Sequence, residues 1–183
     1  MTIHVLVPLA EGFEEIEAVT PIDVLRRAGV DVTVASVGGP VVKGARGILV
    51  EADKTLDECA DKDYDMIVLP GGMPGAVNLA GSAVLAGMLR RHREKDLPLA
   101  AICAAPAVVL NPLGLLGENR VACHPSVREK LGDTNRTEER ICVGKKLVTA
   151  AGPGVAMEFA LALVELLQGR EKAEELAKAM VVI

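Results

Sequence analysis

Leu99-Ala100-Ala101-Ile102-Cys103-Ala104-Ala105-Pro106 is an apolar run that gives way, at a cysteine, to small residues and a proline. Residues 97–102 read as a strand and 104–110 as a short helix broken before Pro112. Cys103 then sits at a strand-to-helix turn. Such a turn needs small neighbours, because it is tight and the side chain must project into a cleft. A helix N-terminus adds partial positive charge and free N–H groups, which favour thiolate over thiol. The same residue also fits a small buried hydrophobe, since free cysteine is among the most buried residue types. Local sequence leaves both readings open.

Outward from this turn, strand-length apolar runs alternate with segments of helical period. Residues 3–9 are apolar at nearly every position, as in a strand covered on both faces. A helix is expected over 14–29, with acidic residues in its first turn, Arg26 and Arg27 in its last, Gly29 as its stop and Pro21 bending it. Further strands are expected at 31–37, at 65–69 before Pro70-Gly71-Gly72, and as a hairpin of 141–143 with 146–149. Residues 41–43 and 47–51 suit a small antiparallel excursion, and helices are expected at 82–93, 158–167 and 171–180. This alternation predicts an α/β domain over 1–183, a mostly parallel sheet with helices on both faces. Ligands of such sheets bind beyond the carboxyl ends of the strands, here just after Leu9, Leu69 and Ile102.

The chain has 183 residues, enough for one domain with a sizeable core, and is 50% hydrophobic but 2% aromatic, so that core must be aliphatic. Its net charge of −5 argues against nucleic acid as a partner, because phosphate binding needs a basic surface. Glu11, Glu14, Glu15 and Glu17 directly follow the first apolar run, unlike a signal peptide. No stretch reaches the roughly 18 apolar residues of a membrane span. A cytoplasmic location is expected, in which the scattered Cys59, Cys103, Cys123 and Cys142 are reduced thiols and the sequon Asn135-Arg136-Thr137 is a coincidence.

Two further segments at strand ends carry chemical possibilities. In Leu69-Pro70-Gly71-Gly72-Met73-Pro74-Gly75 the glycines free the backbone to aim N–H groups at a ligand, as an oxyanion hole requires; an ordinary turn is the alternative. No Lys-Ser/Thr follows them, so this is not a phosphate loop. In Ala10-Glu11-Gly12-Phe13-Glu14-Glu15-Ile16-Glu17, Glu14 and Glu15 fit simple complements of the helix dipole. Glu17 lies deeper, among Ile16, Ala18 and Val19, where burial beside a thiolate would raise its pKa and let it donate a hydrogen bond or shuttle a proton. Elsewhere, Cys123-His124-Pro125 places a histidine before a proline-started helix, where it suits a strand end, whereas His4 and His92 read as structural or solvated. The spacing of three His and four Cys is not that of a zinc site.

Taken together, these segments resemble the ThiJ/PfpI superfamily, in the branch of YajL and the human parkinsonism-associated protein deglycase. The likeness covers essentially the whole chain and rests on Glu14-Glu15-Ile16-Glu17, Leu69-Pro70-Gly71-Gly72, Ala100-Ala101-Ile102-Cys103-Ala104, His124-Pro125, and Gly152-Pro153-Gly154 before Glu158-Phe159-Ala160. It implies a flavodoxin-like three-layer sandwich working as a homodimer without a cofactor or metal. It also implies Cys103 as nucleophile, Glu17 as its protonated partner, the N–H groups of Gly72 and Ala104 as oxyanion donors, and His124 nearby. Arg27 and Arg46 match arginines that relatives bring to the dimer interface close to the site. Peptidase-type members carry a histidine directly after the cysteine; here that residue is Ala104, which weakens a peptidase reading. Glu51 stands where the human protein has a second, peripheral cysteine, and Cys123 is an extra thiol, either resolving or merely buried.

The resemblance implies thiol chemistry of the hydrolase or lyase kind on reactive dicarbonyls such as methylglyoxal and glyoxal, or on their adducts with amines: a glyoxalase or protein deglycase of the stress response. A second expectation is an oxidative-stress sensor or redox-regulated chaperone acting through oxidation of Cys103. A flavin-binding electron carrier fits the fold but not the loop 10–13, which lacks the Ser/Thr cluster that would cradle a phosphate.

Overall fold

Seven strands form the central sheet of the computed structural model, which describes residues 2–183; Met1, where the expected domain begins, lies outside the described residues. In chain order the strands are β1 (His4–Leu9), β2 (Asp31–Ser36), β3 (Val41–Lys43), β4 (Leu49–Glu51), β5 (Lys54–Thr55), β6 (Met66–Leu69), β7 (Leu99–Ile102), β8 (Ile141–Val143) and β9 (Leu147–Ala150). The sheet runs β5-β2-β1-β6-β7-β9-β8, while β3 and β4 pair apart from it as an antiparallel hairpin. Within the sheet neighbours are parallel except β8 with β9.

The unbroken apolar character of the central strands follows from cover on both faces. Every residue of β6 and β7 is buried. On one side lie α1 (Glu15–Arg27), α5 (Ala156–Gln168) and α6 (Arg170–Ala179), packed in succession; on the other lie α2 (Leu56–Cys59), α3 (Gly75–Ala80) and α4 (Ala83–Glu94). This is the mostly parallel sheet covered on both faces that the alternation of strands and helices predicts, in the flavodoxin-like three-layer form that the resemblance implies. Phe13 and Phe159 are fully buried, and the rest of the core is almost entirely aliphatic, as the composition requires. Strand order reverses between β1 and β6, because β2 and β5 lie on one side of β1 and β6 on the other. Such a switch opens a crevice at the carboxyl ends of the strands.

Several local expectations needed correction. Residues 104–110 form no ordinary helix: a π-helical turn, Pro106–Leu110, runs into a 3₁₀ turn, Asn111–Leu113. Pro112 does not break it, since Pro112 occupies the second position of that turn, where an N–H would have no helical partner. The chain stops instead at Gly114, at φ 69°. His124 ends no strand. It caps the 3₁₀ turn Pro125–Lys130. Two short helices escaped the sequence reading; one of them, α2, carries a capping box in which Thr55 and Glu58 bond reciprocally.

Candidate active site

The loops after β1 and β6 meet backbone to backbone at the crevice. The Glu14 N–H donates to Gly71 O at 3.0 Å and the Gly75 N–H to Gly12 O at 3.1 Å. No side chain fits between them: a methyl group on Gly72 would lie 2.4 Å from the Glu14 nitrogen, and Gly72 itself has φ 93°. A methyl on Gly71 would lie 2.6 Å from Glu17 Oε2 and 2.7 Å from Cys103 Cβ, so the bare Gly71 backbone is the space in which acid and cysteine approach. The peptide Met73-Pro74 in this loop is cis.

Cys103 itself adopts φ 63°, the left-handed region that a residue with a Cβ enters at a cost of about 1–2 kcal/mol. Two backbone bonds hold it there. Its N–H donates to Ala150 O at 2.8 Å, and its carbonyl accepts from the His124 N–H at 2.8 Å. This turn leaves the thiol 9% exposed, at the floor of a cavity, within reach of the N–H groups of Gly72 and Ala104.

Glu17, in the first turn of α1, is completely buried. Its Oε2 accepts the Gly71 N–H at 2.9 Å. Its Oε1 has no hydrogen-bond partner of good geometry, although the carboxyl lies within interaction range of the thiol. Burial pushes the Glu17 pKa up to about 7, against the pull of Cys103 and the Gly71 N–H. Burial, then the charge and hydrogen bond of Glu17, push the Cys103 thiol up to about 12. The expectation of a thiolate favoured by its turn alone is therefore corrected: next to an ionised Glu17 the sulfur keeps its proton. The pair must be treated as a unit. With the proton on Glu17, its repulsion becomes donation, and the N–H groups of Gly72 and Ala104 then work with it to lower the thiol pKa against the burial that raises it.

The cavity above the pair, about 200 Å³, is lined by Cys103, Glu17, Ala104, Gly72, Met73 and Pro153, with Glu14, Arg46, His124 and Ser126 supplying polar groups. The sequence-derived residues Cys103, Glu17, Gly72, Ala104, His124 and Arg46 thus converge. Arg27 is not among them; it forms an exposed pair with Asp23 at 2.8 Å. Cys123 is 1% exposed, does not line the cavity, and has its thiol pKa raised by burial. His92 is buried on Pro98 O at 2.9 Å, and His4 pairs with Asp31. Among the described residues no group of three or more His, Cys, Asp or Glu is arranged to hold a metal ion.

Glu15 does more than complement a dipole. It is buried, and its Oε1 accepts the N–H groups of Arg46 at 2.7 Å and Ile48 at 3.3 Å, at the tip of the β3–β4 hairpin. Burial alone would raise its pKa, but these N–H groups and the Arg46 charge hold it below the usual value. The tip also docks through the Ala45 N–H on Phe13 O at 2.7 Å. Arg46 reaches the cavity because of this clamp. No local pattern announced it, since the partners lie 31 residues apart.

The raised Glu17 pKa fixes a pH dependence. The folded protein holds this proton more tightly than the unfolded chain, whose Glu titrates near 4.5, so stability is lost as pH rises from there through about 7. Urea unfolding should show the wild type losing about 3 kcal/mol across that window relative to Glu17→Gln, which has no proton to lose; parallel pH profiles would refute the burial effect.

A model of the DJ-1/PfpI family matches residues 3–166. Protein DJ-1 homolog A of Arabidopsis thaliana is 46% identical over 182 residues, covering 99% of this chain. The chain spans about half the length of the Arabidopsis relatives, 46% of homolog A and 42% of homolog B. A Caenorhabditis elegans relative named glutathione-independent glyoxalase DJR-1.2 is 37% identical over 172 residues, covering 93% of this chain and 91% of its own. The solved structure of oxidized Toxoplasma gondii DJ-1 superposes with a TM-score of 0.96 at 45% identity, covering 98% of each chain. The motif-based resemblance is borne out: the chain belongs to the DJ-1/PfpI family.

Proposed function

We propose that the chain is a single-domain, cytoplasmic, cofactor-independent thiol enzyme that converts small dicarbonyls such as methylglyoxal and glyoxal, or their adducts with amines, to 2-hydroxy acids. The observation that carries this reading is the pairing of Cys103 with a buried Glu17 whose pKa lies near 7, beneath two backbone donors. The glyoxalase name of the Caenorhabditis elegans relative supports it.

In the reactive form the one proton of the pair sits on Glu17 and the sulfur is anionic. The sulfur adds to the aldehyde carbon, the carbonyl electrons move to oxygen, and Glu17 protonates that oxygen to give a hemithioacetal held by the Gly72 and Ala104 N–H groups. Glu17, now a carboxylate, removes the proton from the same carbon. The electrons form an enediolate with the neighbouring carbonyl; Glu17 returns the proton to the second carbon, the hydroxyl proton on the first carbon's oxygen passes to the second oxygen, and a 2-hydroxy thioester is left. Water releases the acid and restores the pair. An early glycation adduct, a hemiaminal, would first collapse: its hydroxyl proton passes to nitrogen, the C–N bond breaks to free the amine, and the aldehyde so formed enters the same steps. A cysteine peptidase is disfavoured, because Ala104 follows the nucleophile and no histidine does.

A second reading, an oxidation sensor or redox-regulated chaperone, is favoured by one observation: Glu17 Oε1 is buried without a partner near the sulfur, where it would hydrogen-bond an oxygen added to Cys103. We also propose a homodimer, supported by the exposed apolar side chains Ile16 and Val19 on α1 and Ile48 and Leu49 on the hairpin beside the cavity. Among the described residues no helix is long and apolar enough to cross a membrane.

Cys103→Ala should abolish conversion of methylglyoxal to lactate, followed by chiral product analysis; retained turnover would sink the enzymatic reading. After mild peroxide, intact mass should show a stable gain of two oxygens that Cys103→Ala lacks, and an inert thiol would remove the sensor. Light scattering should return twice the chain mass of 19.2 kDa, and Ile16→Asp with Val19→Asp should halve it; a wild-type monomer at working concentration would exclude the dimer.

A further inference from the structure

His124 has two ring nitrogens, and its local fold distinguishes them. Pro125 starts the 3₁₀ turn, so the amide of Ser126 is the first free donor there, and the imidazole caps it. The Ser126 N–H donates to Nδ1 at 3.2 Å, and Ser126 Oγ lies 2.8 Å from the same nitrogen. An amide N–H can only donate. The neutral ring must therefore present a lone pair at Nδ1 and carry its proton on Nε2, and the Ser126 hydroxyl, the closer group, turns to share that lone pair as a second donor. His124 Nε2 makes no hydrogen bond within the described residues, and the ring lines the Cys103 cavity, its Cδ2 edge against Gly152.

We propose that Ser126 is a positioning residue, holding the His124 imidazole as the Nε2–H tautomer so that it faces the cavity as a hydrogen-bond donor. The proposal deepens the dicarbonyl reading and rests on it for its catalytic consequence. When the hemithioacetal loses its carbon-bound proton, negative charge develops on the oxygen of the second carbonyl, a different atom from the oxygen that the Gly72 and Ala104 donors hold. His124 lines the same cavity, and a donor held ready there stabilises the charge as it forms. A neutral ring in this tautomer has no lone pair at Nε2, which leaves Glu17 as the residue that takes and returns protons.

Nitrogen-15 spectra of the substrate-free protein decide the positioning claim. The wild type should show a pyridine-like Nδ1 and a pyrrole-like Nε2 for His124. Ser126→Ala keeps the amide at 3.2 Å but loses the closer donor, the hydroxyl at 2.8 Å; the preference should weaken without vanishing, so that a detectable fraction of the second tautomer appears and kcat/KM for methylglyoxal falls about 5-fold, chiefly in kcat, as expected for one lost hydrogen bond. Ser126→Thr should restore both readings, which a merely destabilised turn would not. A protonated Nδ1 in the wild type overturns the proposal, as does a Ser126→Ala protein unchanged in spectrum and rate. A changed tautomer with unchanged kinetics removes its catalytic consequence. Absence of methylglyoxal turnover in the wild type would instead count against the dicarbonyl reading, and the spectra would still decide the tautomer.

Discussion

The structure of this site depends on one steric constraint: the loops that follow β1 and β6 touch through bare backbone. Gly12, Gly71, Gly72 and Gly75 each occupy a place where a methyl group would lie within 3.0 Å of neighbouring atoms. The contact turns the Gly71 N–H onto Glu17 and brings the carboxyl against the Cys103 turn. Side chains in those places would separate the loops, and the acid would then face water and ionise at its ordinary pKa. Burial of the Glu17 proton, and with it the chemistry of the cysteine, follows from the glycines.

Cysteine and acid also constrain one another. Burial costs both of them their charged forms, and the Glu17 anion further disfavours a thiolate. A buried pair of this kind holds a single proton and a single negative charge. Moving the proton from sulfur to oxygen leaves the net charge unchanged, but it makes the sulfur the nucleophile. The backbone N–H groups of Gly72 and Ala104 point at the sulfur and favour the anion there, while Gly71 favours the anion on Glu17. Burial and the Glu17 charge keep the proton on sulfur once the acid has ionised, and the Gly72 and Ala104 amides lower the cost of moving it to Glu17.

Around this pair, polar residues are delivered by elements with no chemical signature of their own. The β3–β4 hairpin is a minor excursion from the sheet, yet Glu15 holds its tip so that Arg46 reaches the cavity. The 3₁₀ turn after His124 is a short connector, yet the first free amide and the hydroxyl of Ser126 both meet the ring at Nδ1. In both cases a backbone donor satisfied by a side chain sets the position of a functional group.

The sequence by itself determined the layered α/β fold, the carboxyl-end location of the site and the residues Cys103, Glu17, Gly72, Ala104 and His124. These were legible because periodicity, turn residues and strand-to-helix junctions are short-range properties, and because several motifs in order resembled one family. It misread the segment after Cys103 as an ordinary helix cut by Pro112, because a π-helical turn has no distinct residue pattern. Glu15 passed for a dipole complement, and Ser126 was not singled out. Only the tertiary structure decided these, along with the charge state of the Cys103–Glu17 pair. Each depends on distance and burial between segments far apart in the chain, such as the 54 residues between Glu17 and Gly71, and electrostatic energies at such contacts are set by the surrounding dielectric rather than by residue identity.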